Sequence, residues 1–101
     1  MQRREAECHL IASVLAADGM FTDEERGLLE AAMVRLALDD DERDRVKHFE
    51  GSDAAMDVVK QLPEDARRAL LDDLVEAALA DGNLSPPETA RVKEIASNLG
   101  L

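Results

Sequence analysis

Apolar residues recur along this chain at helical spacing, broken by short polar segments. They fall at Leu10, Ile11, Val14 and Leu15 ahead of residue 18, and at Leu71, Leu74, Val75 and Ala78 ahead of residue 81. A period near 3.6 marks one buried face on each of two helices. Glycine takes up the left-handed backbone that closes a helix, so Gly19 and Gly82 are predicted stops. Three residues later stand Thr22-Asp23-Glu24-Glu25 and Ser85-Pro86-Pro87-Glu88. Both have the form in which a hydroxyl and a glutamate satisfy the free amides of a new helix. Pro86 sits at the first helical position, where a missing donor costs nothing. The helices that follow point Leu28, Leu29, Ala32, Met33 and Leu36, and Val92, Ile95, Ala96 and Leu99, toward a core.

These two stretches are copies of one unit. Ala17-Asp18-Gly19-Met20-Phe21-Thr22 falls on Ala80-Asp81-Gly82-Asn83-Leu84-Ser85, and at the same offset Ile11 meets Leu74, Leu29 meets Val92, Ala32 meets Ile95, Leu36 meets Leu99 and Leu38 meets Leu101. Apolar positions stay apolar. Between the copies, Asp39 or Asp40 is a cap for a helix through Phe49 that Gly51 ends, and Ser52 caps another running to Leu62 before Pro63. Pro63-Glu64-Asp65 then opens the long helix of the second copy, with acids where the helix dipole favours them. The prediction is one all-α domain over residues 1–101 with about six helices and no strand. Its two pseudo-symmetric helical hairpins, about 7–38 and 70–101, are linked by two shorter helices.

Composition narrows the chemistry. The chain has 101 residues, 46% of them hydrophobic, and its only aromatics are Phe21 and Phe49, so the core is expected to be Leu, Val, Ile, Ala and Met. Twelve Lys and Arg stand against 23 Asp and Glu, a formal charge of -11. That sign repels nucleic-acid backbones and anionic lipid, and suits cations or a basic protein surface. A single cysteine, Cys8, forms no internal disulfide, and a cytoplasmic location is expected. Arg3 and Arg4 ahead of an apolar run superficially suggest a signal peptide, but Glu5 and Glu7 interrupt it. No apolar stretch reaches the roughly 20 residues of a membrane span, so membrane contact is expected only through a partner.

The Asp-Gly turns overlap the second half of a calcium-binding EF-hand loop, with Asp18 and Glu25, or Asp81 and Glu88, at ligand positions. Val14 and Ala16, and Ala77 and Leu79, occupy the earlier ligand positions, which excludes an ordinary EF-hand. An aspartate at a helix C-terminus faces the negative end of the dipole, a penalty of about 0.3 to 1 kcal/mol that this sequence accepts twice. Either the aspartates turn onto backbone amides of the following loop, or they join other acids around a divalent cation. Glu25 and Glu88 have the same two readings, cap or ligand. Asp39, Asp40, Asp41 and Glu42 are read as a helix start with a solvated first turn. Asp72, Asp73 and Glu76 form a candidate face for a basic partner, Asp72 and Glu76 being four apart on one helix. Cys8, His9 and His48 have no companions in a metal-ligand pattern and are read as structural. No activated nucleophile and no phosphate-cradling glycine loop is visible, so no enzymatic activity is expected.

The paired Ala-Asp-Gly turns with Thr22 to Glu25 and Ser85 to Glu88, set on apolar helices, resemble the tellurite-resistance TerB family over nearly the whole chain. The resemblance implies an all-helical fold with internal two-fold similarity. It implies a place in a bacterial tellurite-resistance or stress-response system, or beside a membrane anchor in a DnaJ-like co-chaperone. No J-domain His-Pro-Asp motif and no anchor occur in this sequence, so the co-chaperone role is not expected. It further implies a divalent-metal role for Asp18, Glu25, Asp81 and Glu88. The functional expectation is a non-enzymatic interaction module that meets a protein partner through an acidic face, with a metal-binding or metal-sensing domain as the alternative.

Overall fold

A computed structural model describes residues 1–19, 21–49, 51–79 and 85–101. Six helices account for them: α1 (Arg3–Leu15), α2 (Asp23–Arg35), α3 (Asp40–Lys47), α4 (Ser52–Val59), α5 (Glu64–Leu79) and α6 (Pro86–Asn98). No strand occurs among the described residues. None of these helices is long and apolar enough to cross a membrane.

The pattern of apolar residues on α1 predicts one buried stripe, yet the structure buries ten of its residues, including Glu5, Glu7 and His9. The reason is position, since α1 packs against all five other helices. Small residues at Ala6, Cys8 and Ala12 let the neighbours approach on more than one side. Leu10, Leu15, Leu29, Met33, Leu70, Leu74, Ile95 and Leu99 fill the core around it. Each such side chain contributes about 1.5 to 3 kcal/mol on removal from water. Cys8 is wholly buried among them, and burial pushes its thiol up to about 12, so it stays protonated and unreactive at neutral pH.

The repeat is visible in hydrogen bonds. Helix α2 starts on Thr22 and α6 on Ser85, each hydroxyl accepting from the amide of the glutamate three residues on, at 3.1 and 3.3 Å. Each hydroxyl also donates to that glutamate's Oε1, at 3.0 and 2.9 Å. The two helices end alike as well. Leu38 N–H donates to Met33 O and Ala37 N–H to Val34 O, while Leu101 N–H donates to Ala96 O and Gly100 N–H to Ser97 O. This double closure places its pivot residue in the left-handed region. The pivot is Gly100 at φ 74° in one copy and Ala37 at φ 58° in the other.

An L-residue with a Cβ pays roughly 1 to 2 kcal/mol there. Ala37→Gly is therefore expected to stabilise the protein by about 1 kcal/mol, after the extra freedom of glycine in the unfolded chain is deducted. A thermal melt reads this as a rise of roughly 4 to 8 °C. An unchanged or lower melting temperature would show that the turn carries no strain.

The two linking helices depart from the sequence reading in detail. Asp39 caps α3, its carboxylate accepting from Glu42 N–H at 2.8 Å while Asp39 N–H donates to Glu42 Oε1 at 2.9 Å. The left-handed residue after α3 is Phe49, at φ 58°, rather than Gly51. Gly51 instead precedes α4 at φ -104°, in the capping position expected of Ser52, and contributes no side-chain cap. Its lack of a side chain has another cause. A Cβ there would lie 2.5 Å from His9 Nε2 and 2.7 Å from Nδ1, so glycine lets α4 close onto α1.

Candidate functional site

Of the four acids with a possible cation role, the structure describes three, and Asp81 lies outside the described residues. Asp18 is exposed in the turn after α1. Glu25 and Glu88 are buried within their caps, at 3% and 2% exposure. Glu25 Oε1 accepts from Thr22 N–H at 3.2 Å as well as from the Thr22 hydroxyl. Its Oε2 is buried without a hydrogen-bond partner. A buried carboxylate oxygen in that condition is costly, which is the one structural feature of this turn that the cap does not explain. Among the described residues, no three His, Cys, Asp or Glu side chains are grouped so as to hold a metal ion.

The acids of α5 occupy different surroundings. Asp72 is exposed, whereas Asp73 is half-buried and faces Arg35 of α2 at 3.8 Å. At that distance, with the Arg35 side chain 55% exposed, the pair adds little stability. Asp73 and Glu76, with Arg35 opposite them, line a groove of about 320 Å³ between α2 and α5, over Ile11, Leu28, Ala32 and Ala77. Residues three apart on a helix are neighbours, so the two carboxylates form one acidic edge along an apolar floor. Val75, which helical spacing places on the buried face, is instead 37% exposed, and it stands one turn from Leu79, 52% exposed, on the adjoining face of α5 with Asp72. Apolar surface bordered by acid is the chemistry of a docking face for a basic amphipathic element.

The third cluster joins α1 to α3. Arg45 of α3 forms a two-pronged ion pair with Glu5 of α1, at 3.0 and 2.7 Å. His9, one turn along α1, donates from Nε2 to Glu5 Oε2 at 2.9 Å. Next to it Arg4 grips Glu42 at 3.1 and 2.9 Å. The Arg45 guanidinium, helped by His9, holds the Glu5 carboxyl down to about 2 against the desolvation that opposes it. Arg4 and the Asp39 amide likewise hold Glu42 below the ordinary carboxylate range. The last acid of the Asp39 to Glu42 run is thus buried and paired rather than solvated. The spacing of Glu5 and His9 hinted at a pair. Their meeting with α3 depends on tertiary packing that no local pattern encodes. Two bidentate ion pairs, Arg45 to Glu5 and Arg4 to Glu42, thus clamp α3 to α1.

Comparison with known proteins bears on the whole chain. The family model described as tellurite resistance protein TerB matches residues 4–101. No curated protein and no solved structure matches.

Proposed function

We propose that this chain, which belongs to the TerB family, serves a bacterial tellurite-resistance or stress-response system as a non-enzymatic interaction module. Its partner is a protein that presents a basic amphipathic helix to the groove between α2 and α5. The observation that carries this reading is the acidic edge of Asp73 and Glu76 along an apolar floor, beside the exposed Val75 and Leu79. Charge complementarity of this kind speeds encounter and selects partners. Three side chains of the kinds that serve as nucleophiles are already committed. Cys8 is buried and held protonated, and the hydroxyls of Thr22 and Ser85 are committed to helix caps.

The test is fluorescence anisotropy with a labelled amphipathic Leu/Lys peptide. The wild type is expected to bind in a salt-sensitive manner, and the Asp73→Lys, Glu76→Lys double variant about tenfold or more weakly. Asp40→Lys, Asp41→Lys changes net charge equally at an exposed site on α3 and is expected to bind as the wild type does. Equal loss in both variants would mean attraction to the overall charge, and the groove would lose its role.

A second reading is favoured by the partnerless Glu25 Oε2, a buried oxygen that a bound divalent cation would satisfy. In the same samples, treated with chelator, Ca²⁺, Mg²⁺, Mn²⁺ or Zn²⁺ would then raise the melting temperature, and Asp18→Asn, Asp81→Asn would abolish the rise. A rise no larger than matched ionic strength produces sinks this reading.

A further inference from the structure

The only two aromatic side chains of this protein meet at one corner of the fold. The rings of Phe21 and Phe49 lie 5.2 Å apart at 80°, the edge-to-face contact that their quadrupoles favour. They line a cavity of about 330 Å³ that reaches down to Leu29 and Met33 of α2, both nearly inaccessible to water. This volume is at the lower end of small-molecule sites.

The backbone at Phe49 is a second observation. A bulky residue at φ 58° is strained, and such strain persists where the surrounding fold requires the side chain in one place. Here it holds the ring 41% exposed against Phe21 at the cavity's edge, instead of letting it turn into the core.

Charge supplies a third. Among the described residues, the charged ones lining the cavity are Arg26, Lys47 and Glu30, two cations and one acid in a chain of -11. Arg3, Arg4, Arg35, Arg45, Arg68 and Arg91 are all engaged with carboxylates. Among the described residues, Arg26 and Lys47 have no such partner, as is also true of Arg43, Lys60, Arg67 and Lys93, and of these six only Arg26 and Lys47 line this cavity. Two unengaged cations over an aromatic and aliphatic floor complement a molecule with one negative end and an apolar body.

We propose that this cavity binds a small amphipathic monocarboxylate, its apolar body against Phe21, Phe49, Leu29 and Met33 and its carboxylate between Arg26 and Lys47. The site is separate from the acidic groove. Its α2 residues, 26, 29, 30 and 33, lie on roughly the opposite stripe of the helix from the groove's 28, 31, 32 and 35.

Octanoate is the probe, titrated into ¹⁵N-labelled protein, with octanol, octylammonium and acetate as controls for charge, its sign and the apolar body. Saturable shifts are expected for the amides of Phe21, Leu29, Met33 and Phe49 with octanoate alone. Lys47→Glu is expected to weaken binding about tenfold or more. Phe49→Gly fits the left-handed backbone without strain, so it is expected to abolish binding while the melting temperature holds or rises. A merely structural Phe49 would give the reverse, a lower melting temperature with affinity retained. The proposal is overturned if octanoate gives no saturable shifts, if octylammonium binds as well, or if both variants bind octanoate as the wild type does.

Discussion

Gly51→Ala is expected to destabilise the protein by about 2 kcal/mol, a fall of roughly 8 to 16 °C in melting temperature. The backbone of Gly51, at φ -104° and ψ 4°, is open to alanine. On that ground alone the substitution would stabilise by about 0.4 to 1 kcal/mol through the unfolded chain. The decisive term is contact. The new methyl would sit 2.5 Å from His9 Nε2, well inside van der Waals separation. His9 is 3% exposed and its ring is fixed by the 2.9 Å bond to Glu5. Either the ring rotates away and that bond breaks, or α4 retreats from α1 and opens the packing between them. A double-mutant cycle separates contact from backbone effects. In a His9→Ala background the space is vacant, so Gly51→Ala should there cost close to nothing or stabilise. Equal costs in the two backgrounds would refute the steric account.

That position shows what a linear pattern carries and what it leaves out. Turn chemistry is local, so Thr22 and Ser85 with their glutamates, and Pro86 behind Ser85, disclosed the starts of α2 and α6 in advance. The repeat discloses their equivalence through Leu36 and Leu38 against Leu99 and Leu101, and the structure adds that Ala37 and Gly100 between them end the two helices in the same way. Gly51 was read by the same local rule as a helix stop, and its requirement is instead a close approach of His9, more than forty residues away in the chain. Glu42 belongs by local pattern to a solvated acidic turn, and its burial is set by Arg4 on another helix. The candidate surfaces divide in the same way. Asp73 and Glu76 were legible as acids on a helix. The groove they edge exists only because α2 and α5 both pack on α1, to either side of Ile11. The cavity between Phe21 and Phe49 had no sequence signature beyond the scarcity of aromatics.

Glu5→Gln is expected to cost about 2 kcal/mol at neutral pH, and most of that difference should vanish in acid. Removing one partner of a fully buried ion pair costs about 3 to 5 kcal/mol. Here the Glu5 side chain is 3% exposed but that of Arg45 is 56% exposed, so water recovers part of the loss. Glutamine keeps the shape but replaces one acceptor oxygen with an NH₂ group, which must then point at a donor, either the Arg45 guanidinium or His9 Nε2. The pH dependence follows from the carboxyl's two states. Its folded value, about 2, lies below the ordinary 4.5 of an unfolded chain. The stability it confers is therefore fully present above pH 4.5 and is lost as pH falls through about 2. Glu42 is also held low by Arg4, and the Glu5 charge pushes it up, so the difference between wild type and variant reports Glu5 together with this smaller coupling to Glu42. Thermal melts should show the gap at its widest at about pH 6 and less than half as large at about pH 3. A gap that stays constant, or widens in acid, would mean that Glu5 acts through packing alone and that its charge does not hold α3 to α1.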